Sequence, residues 1–317
     1  MSNNYTDSPT TVFLTIYIIT FLIGFPHTTL AFCTSIRKIH NKPIPMTFFM
    51  LNLAVSDLIF LTFLPVKMKE AADNMVWNMP YSLCHFNLFM FFLPIYSSSL
   101  FLAAISAERY VCVTFPVKYK SPRRITYTIL ICVFIWVLVI VTTVFAYKAA
   151  YTDSDEVDNT TNQGPLVTEP QQCFFNFTGK QLKDLLKMRL VAVVLFFCAP
   201  LIICCFCYIS VIRILSKLPL IRRCRRLRAI GLALGTLLVF AICFAPFSVS
   251  HLVGYVRQEN PKWRMKALML STLNACFDPI IFFCISSEMR MAIKDCMKGI
   301  FRFYTYIKRF LLLLLYA

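Results

Sequence analysis

Residues 125–147 read ITYTILICVFIWVLVIVTTVFAY, and this run carries no Asp, Glu, Lys or Arg. At 1.5 Å of rise per residue a helix of this length measures about 34 Å, enough to cross the roughly 30 Å of hydrocarbon in a bilayer. A helix on the surface of a soluble domain would show a polar stripe every three to four residues. None is present, because the few polar positions are Thr, Tyr and Trp scattered around the helix. The run is bounded by Arg123 and Arg124 before it and by Lys148 after it, so its solvent is lipid and its ends lie at the two membrane surfaces.

Working outward, mostly apolar stretches of similar length recur at about 12–36, 46–66, 83–115, 187–215, 227–256 and 263–285, which with 125–147 makes seven. The composition agrees: 58% of the 317 residues are hydrophobic, 15% are charged, and only 7 are Gly. A soluble globule of this size could not hide that much apolar side chain. The first apolar stretch, from Val12, is longer than the core of a signal peptide and reads as the first span. Pro26, Pro94, Pro200, Pro246 and Pro279 fall inside the spans, where neighbouring helices re-satisfy the carbonyls that proline frees. The expected fold class is an all-α membrane protein, a seven-transmembrane helix bundle. An extracellular tail occupies 1–11 and the bundle 12–285. An amphipathic juxtamembrane helix follows at 286–303, then a tail at 304–317.

Loop charge orients the bundle. The first connection carries Arg37, Lys38 and Lys42, the third Lys118, Lys120, Arg123 and Arg124, and the fifth Lys217, Arg222, Arg223, Arg225, Arg226 and Arg228. All lie on one side, which is the cytoplasm, so the protein is expected as a multi-pass plasma-membrane protein with its N-terminus outside. The opposite side holds the acidic 148–186 connection and the N-x-[ST] acceptors Asn4, Asn159 and Asn176. A formal net charge of +17 fits inner-leaflet lipid better than nucleic acid, because the charges sit between apolar runs and no nucleic-acid fold signature accompanies them. Of the 14 cysteines most lie in the spans and read as small apolar residues. Cys84, at the outer end of the third span, and Cys173, in the long outer loop, face an oxidising compartment and are expected to form a bridge; two free thiols are the alternative.

Ionisable groups within hydrocarbon are expensive and mark function. Asp57 lies mid-way along the second span, Asp278 in the seventh, and Glu108-Arg109-Tyr110 closes the inner end of the third. With Trp136 in the fourth span, Pro246 in Cys-Phe-Ala-Pro of the sixth, and Asp278-Pro279-Ile280-Ile281-Phe282 in the seventh, these residues resemble the class A, rhodopsin-like G-protein-coupled receptors over about residues 10–300. Phe244 stands where that class usually has tryptophan, Phe282 where it has tyrosine, and Thr28 where the first span usually carries asparagine.

The resemblance implies roles. Glu108 would neutralise Arg109 at rest and release it when the inner half opens to a heterotrimeric G protein, with arrestin as a further partner. Tyr110, Asp278, Pro279 and Phe282 would belong to the same activation machinery, and Pro246 would be the hinge that moves the basic 217–228 segment. Asp57 and Asp278 would share one low-dielectric space, where two carboxylates repel unless a cation intervenes. Ser98 and Asn274 fall where the class completes a sodium pocket, so sodium is the expected allosteric ion and no other cofactor or metal is expected. A water-filled polar cluster is the alternative.

A finer resemblance, to the short-chain branch of the free fatty acid receptors, rests on Cys243-Phe244-Ala245-Pro246-Phe247-Ser248-Val249-Ser250-His251-Leu252-Val253-Gly254-Tyr255, on Lys262-Trp263-Arg264, on Ser271-Thr272-Leu273-Asn274, on Met188-Arg189-Leu190 and on Glu70-Ala71-Ala72. It implies that Arg189, Arg264 and His251 hold a ligand carboxylate. Helical rise is compatible. Arg189 lies about 16 Å above Pro200 and His251 about 8 Å above Pro246, so both belong to the outer third of the bundle, where Arg264 opens the seventh span. Paired guanidinium donors suit a carboxylate, and a small acid needs such an anchor because its apolar burial is slight. The bland alternatives are arginines snorkelling to headgroups and a structural histidine. Thr142 replaces a histidine of the short-chain members, Phe247 and Phe92 replace tyrosines, and Tyr96 is kept. Losing polar partners while keeping both arginines implies a short- to medium-chain fatty acid with a tail longer than that of acetate. Signalling through inhibitory G proteins is implied by the same resemblance.

Beyond the seventh span, Met289, Ile293, Met297, Ile300 and Tyr304 alternate with Arg290, Lys294, Lys298 and Arg302 at helical spacing. This is the pattern of a basic amphipathic eighth helix lying on inner-leaflet lipid, with Cys296 a candidate for palmitoylation. An enzyme is not expected, since no nucleophile–base pair or metal cluster is visible. A receptor for another small anionic or lipid ligand is one alternative. An organic-anion transporter is another, although the inverted repeats common among transporters are absent from the sequence.

Overall fold

The computed structural model describes residues 9–41, 43–115, 123–151, 173, 179–217, 223–285 and 291. Below, "outer" denotes the side that loop charge assigns to the exterior. Helix α1 spans Pro9–Asn41, α2 Pro45–Ala72, α3 Tyr81–Thr114 and α4 Arg123–Tyr151. Helix α5 runs as Gly179–Val193, a wide π-type turn at Val194–Cys198, then Ala199–Lys217. Helix α6 repeats this plan with Arg223–Val239, a wide turn at Phe240–Phe244 and Ala245–Arg257. Helix α7 comes in two pieces, Arg264–Ser271 and Asn274–Ile285. Among the described residues these make seven spans. Six are each long and apolar enough to cross a membrane unaided, whereas the pieces of α7 measure 8 and 12 residues and cross only together.

Several helices outrun their apolar stretches. Helix α2 continues to Ala72, so Glu70 lies within it rather than after it. Helix α5 begins at Gly179, eight residues before the expected 187, because the polar turn 179–186 continues the helix into the headgroup region and buries Leu185 and Leu186 against the bundle.

Packing follows the apolar faces. Helix α3 is the axis: 72% of its most apolar window is buried inside the protein, against 22% for α4. It contacts α2, α4, and the wide turn and inner half of α5. Helix α7 closes the ring against α1, α2 and α6. Lipid supplies no hydrophobic drive between helices, so close packing and interhelical hydrogen bonds hold them, each bond contributing about 0.6–2 kcal/mol. Trp136 Nε1 of α4 donates to Asn52 Oδ1 of α2 at 2.8 Å, and Ser56 of α2 meets Ser97 of α3 at 2.6 Å.

The two wide turns have a common cause. Each ends one residue before a proline segment, Ala199-Pro200 and Ala245-Pro246. A proline ring clashes with the carbonyl four residues back and lacks the N–H that would satisfy it, and one extra residue per turn relieves the clash. In α6 the carbonyl of Cys243, inside the wide turn, accepts from Ser271 Oγ of α7 at 2.8 Å.

Candidate ligand-binding site

The outer third of the bundle holds a crevice between α3, α4, α5, α6 and α7. Arg189, His251 and Arg264 all line it. They are 5%, 2% and 8% exposed respectively, so neither arginine snorkels into lipid. The remaining described wall is Leu88, Phe89, Phe92 and Tyr96 of α3, Thr143, Ala146 and Tyr147 of α4, and Leu185 of α5. Among these described lining residues there is no acid. The crevice therefore joins a cationic end to an apolar trough, which is the complement of a carboxylate with a hydrocarbon tail.

Each cationic group is held differently. Arg189 Nη1 donates to Asn260 Oδ1 at 2.9 Å and Arg264 Nη1 to the same oxygen at 3.3 Å. The Arg264 guanidinium also lies 5.8 Å from the Phe247 ring centroid, a cation–π distance, and Phe247 packs edge-on against the His251 imidazole at 4.3 Å. Both His251 ring nitrogens and Arg264 Nε have no hydrogen-bond partner among the described residues. Tyr96 stacks on Phe196 at 4.7 Å and feels the charge of both guanidiniums. An incoming carboxylate would find donors already desolvated and lining the crevice. A third buried cation, Lys67, is not such an anchor, because Glu70 Oε2 lies 2.7 Å from its Nζ.

Thr142 and Phe247 lie beside the main crevice. Thr142 lines an adjoining recess with Tyr96, Met188 and Phe196, and Phe247 an inward one with Phe244 and Ser248. The hydroxyls of Thr142 and Thr143 donate to carbonyls of their own helix at 2.8 and 2.7 Å, so α4 offers the crevice mostly apolar surface. Reading from sequence missed Asn260, Phe196, Thr143 and Tyr147. Asn260-Pro261 carries the signature of a turn, and Tyr147, whose hydroxyl meets His85 Nδ1 at 2.9 Å, reads as an interfacial aromatic. Cys84 and Cys173 form the expected disulfide, which ties residue 173 to the outer end of α3.

At mid-membrane Asp57 and Asp278 are buried and lie beside each other. Ser98 Oγ lies 3.5 Å from Asp57 Oδ1, and Asn274 is buried one turn before Asp278. Asp57 Oδ2 and both Asp278 oxygens have no partner among the described residues, so the donor set fits a small hard cation. Thr28, which stands where the class usually has asparagine, is also buried, and its hydroxyl has no hydrogen-bond partner among the described residues. At the inner end Glu108 has a different partner from the expected Arg109: its Oε2 accepts from Arg124 Nη2 of α4 at 3.3 Å. The Tyr110 ring packs on Phe206 at 5.7 Å. Pro246 opens the outer segment of α6 and Pro279 lies in the inner segment of α7 with Phe282. Asn4, Asn159, Asn176, Cys296 and the segments 286–290 and 292–317 lie outside the described residues.

Residues 28–282 match the family model described as 7 transmembrane receptor (rhodopsin family). The chain is 38% identical over 279 residues to free fatty acid receptor 3 of Mus musculus, covering 88% of this chain and 84% of that protein. It is 39% identical over 272 residues to free fatty acid receptor 3 of Homo sapiens, covering 86% and 76%. It is 38% identical over 287 residues to free fatty acid receptor 2 of Homo sapiens, covering 90% and 85%. The helical membrane bundle, the family match and these similarities agree: the chain is a multi-pass receptor of the plasma membrane, not an enzyme, and it belongs to the rhodopsin family of seven-transmembrane receptors, in the branch of the free fatty acid receptors.

Proposed function

We propose that this receptor is switched on by short- to medium-chain free fatty acids and signals to heterotrimeric G proteins, chiefly of the inhibitory type. The observation that carries the reading is the crevice with two arginines and a histidine at one end, no described acid in its wall, and an apolar trough beyond. The names of the relatives point to the same ligand class. In this reading the carboxylate binds Arg189, Arg264 and His251 while the tail lies along Phe89, Phe92 and Ala146. The test is a series of saturated acids from acetate to dodecanoate on cells expressing the receptor, with cyclic AMP and calcium read in parallel. Potency is expected to peak above two carbons. A peak at acetate overturns the longer tail, and silence across the series overturns the ligand class.

The remaining assignments follow from sequence and class. The N-terminus faces outward, with glycans on Asn4, Asn159 and Asn176. Arg109 and Tyr110 meet the G protein and arrestin after α6 swings about Pro246, and Asp278, Pro279 and Phe282 relay the motion. The 286–303 helix rests on inner-leaflet lipid, aided by palmitoylation at Cys296. A sodium ion held by Asp57, Ser98, Asn274 and Asp278 would favour the resting state. Replacing sodium by a large organic cation should therefore raise agonist affinity, and Asp57→Asn should remove that sensitivity. Agonist affinity indifferent to sodium in the parent receptor argues for a water-filled cluster instead.

A further inference from the structure

Both guanidiniums of the crevice converge on one atom, Asn260 Oδ1, which accepts from Arg189 at 2.9 Å and from Arg264 at 3.3 Å. Asn260 itself is absent from the described wall of the crevice. It therefore grips the arginines from the rim, using one nitrogen of each. The turn that presents it is tightly built. Gln258 adopts a left-handed backbone with φ 54°, and its side-chain amide donates to Tyr255 O at 2.6 Å. Glu259 N returns to Gly254 O at 3.2 Å. A Cβ on Gly254 would lie 3.0 Å from Glu259 O and 3.3 Å from Pro261 Cδ, so glycine is what lets the turn sit directly on α6. Arg264 N then donates to Pro261 O at 3.0 Å, starting α7. Helices α5, α6 and α7 thus meet at a single amide.

Two like charges brought together in a poorly hydrated site repel, and each long arginine side chain has rotamer freedom to lose. A shared neutral acceptor answers both problems without cancelling the charge that a ligand needs. We propose that Asn260 is a positioning residue: its amide oxygen sets the separation and orientation of the Arg189 and Arg264 guanidiniums, so that the edges facing the crevice present a ready two-armed anchor. The ligand part of this proposal rests on the carboxylate reading above, whereas the clamp itself does not.

The test uses full-length receptor with Asn260→Ala and Asn260→Asp, probed with butyrate and octanoate in cells and by melting of the purified, ligand-free receptor in detergent. Asn260→Ala should lower potency about tenfold, the worth of one charge-assisted hydrogen bond, at unchanged maximal response and surface level. Asn260→Asp puts a carboxylate between the guanidiniums. The ligand-free receptor should then melt above the parent while potency falls below that of Asn260→Ala, because a carboxylate of the protein already sits against both guanidiniums. A merely structural asparagine would not move stability and potency in opposite directions. Melting of Asn260→Asp at or below that of Asn260→Ala, or unchanged potency in Asn260→Ala, overturns the proposal. If the parent answers neither acid but melting still runs Asp above Asn above Ala, the fatty acid reading falls and the clamp stands.

Discussion

Arg189→Ala is expected to abolish the response to the most potent acid, shifting its concentration–response curve by roughly a hundredfold or more, while surface expression stays near that of the parent. The size follows from burial. At 5% exposure the Arg189 guanidinium meets a carboxylate where water competes poorly, and deleting one partner of such a pair typically costs about 2–5 kcal/mol. Arg264 and His251 remain after the substitution, but neither can reproduce the bridge from α5 to α7 on which a carboxylate would sit. Arg189→Lys should recover only a fraction of the lost potency, because an ammonium offers a point charge rather than a planar pair of donors. Cyclic AMP inhibition across the acid series, normalised to surface antibody binding, reads both variants. Parent-like potency in Arg189→Ala would remove the anchor from the account of binding.

Cys84→Ser, and equally Cys173→Ser, should reduce surface receptor at least several-fold and leave little acid response in what remains. The bridge joins positions 89 residues apart. Opening a loop of that length releases up to about 4–5 kcal/mol of chain entropy in the simplest estimate, a large part of the 5–15 kcal/mol that commonly separates folded from unfolded states. Cys84 is 1% exposed at the outer end of α3, the helix that carries Phe89, Phe92 and Tyr96 into the crevice. The double variant should behave like either single one, since each alone already breaks the bridge. Flow cytometry with an antibody to an N-terminal tag would measure the loss. Full surface delivery of both single variants would show that the bridge does not govern folding.

Hydropathy made the bundle legible because lipid imposes length and polarity on every crossing segment. The stretch 125–147, uncharged throughout, leaves no other reading. Apolar counting is blind, however, to polar turns that merely continue a helix, so it stopped α2 at 66 and started α5 at 187, when the helices reach Ala72 and begin at Gly179. Arg189, His251 and Arg264 were legible through motif resemblance together with helical rise, which placed them at similar depth. Rise alone says nothing of the direction in which a side chain points, and the structure supplied that. Asn260 was illegible because a turn asparagine before proline already has a sufficient local explanation. The pairing of Glu108 with Arg124 was hidden for a different reason: the sequence offers the adjacent Arg109, whereas the closer partner comes from another helix.

The wide turn at Val194–Cys198 bears on how this chain tolerates changes in length. Successive helical residues are set about 100° apart around the axis, and the wide turn takes up one extra residue without passing that rotation on to the upper and lower parts of α5. Deleting Val194 would let the helix close into ordinary turns with little change of phase, because four residues of α-helix turn about as far as the five of the wide turn, so Arg189 would still face the crevice. The half that carries Tyr208, bonded to Thr236 of α6 at 2.9 Å, would keep its register. A single-codon loss at this place would leave the ligand crevice facing as before, whereas the same loss elsewhere between Arg189 and Tyr208 would turn one half of α5 against the other by about 100° and leave a protein deaf to its ligand although no binding residue has changed.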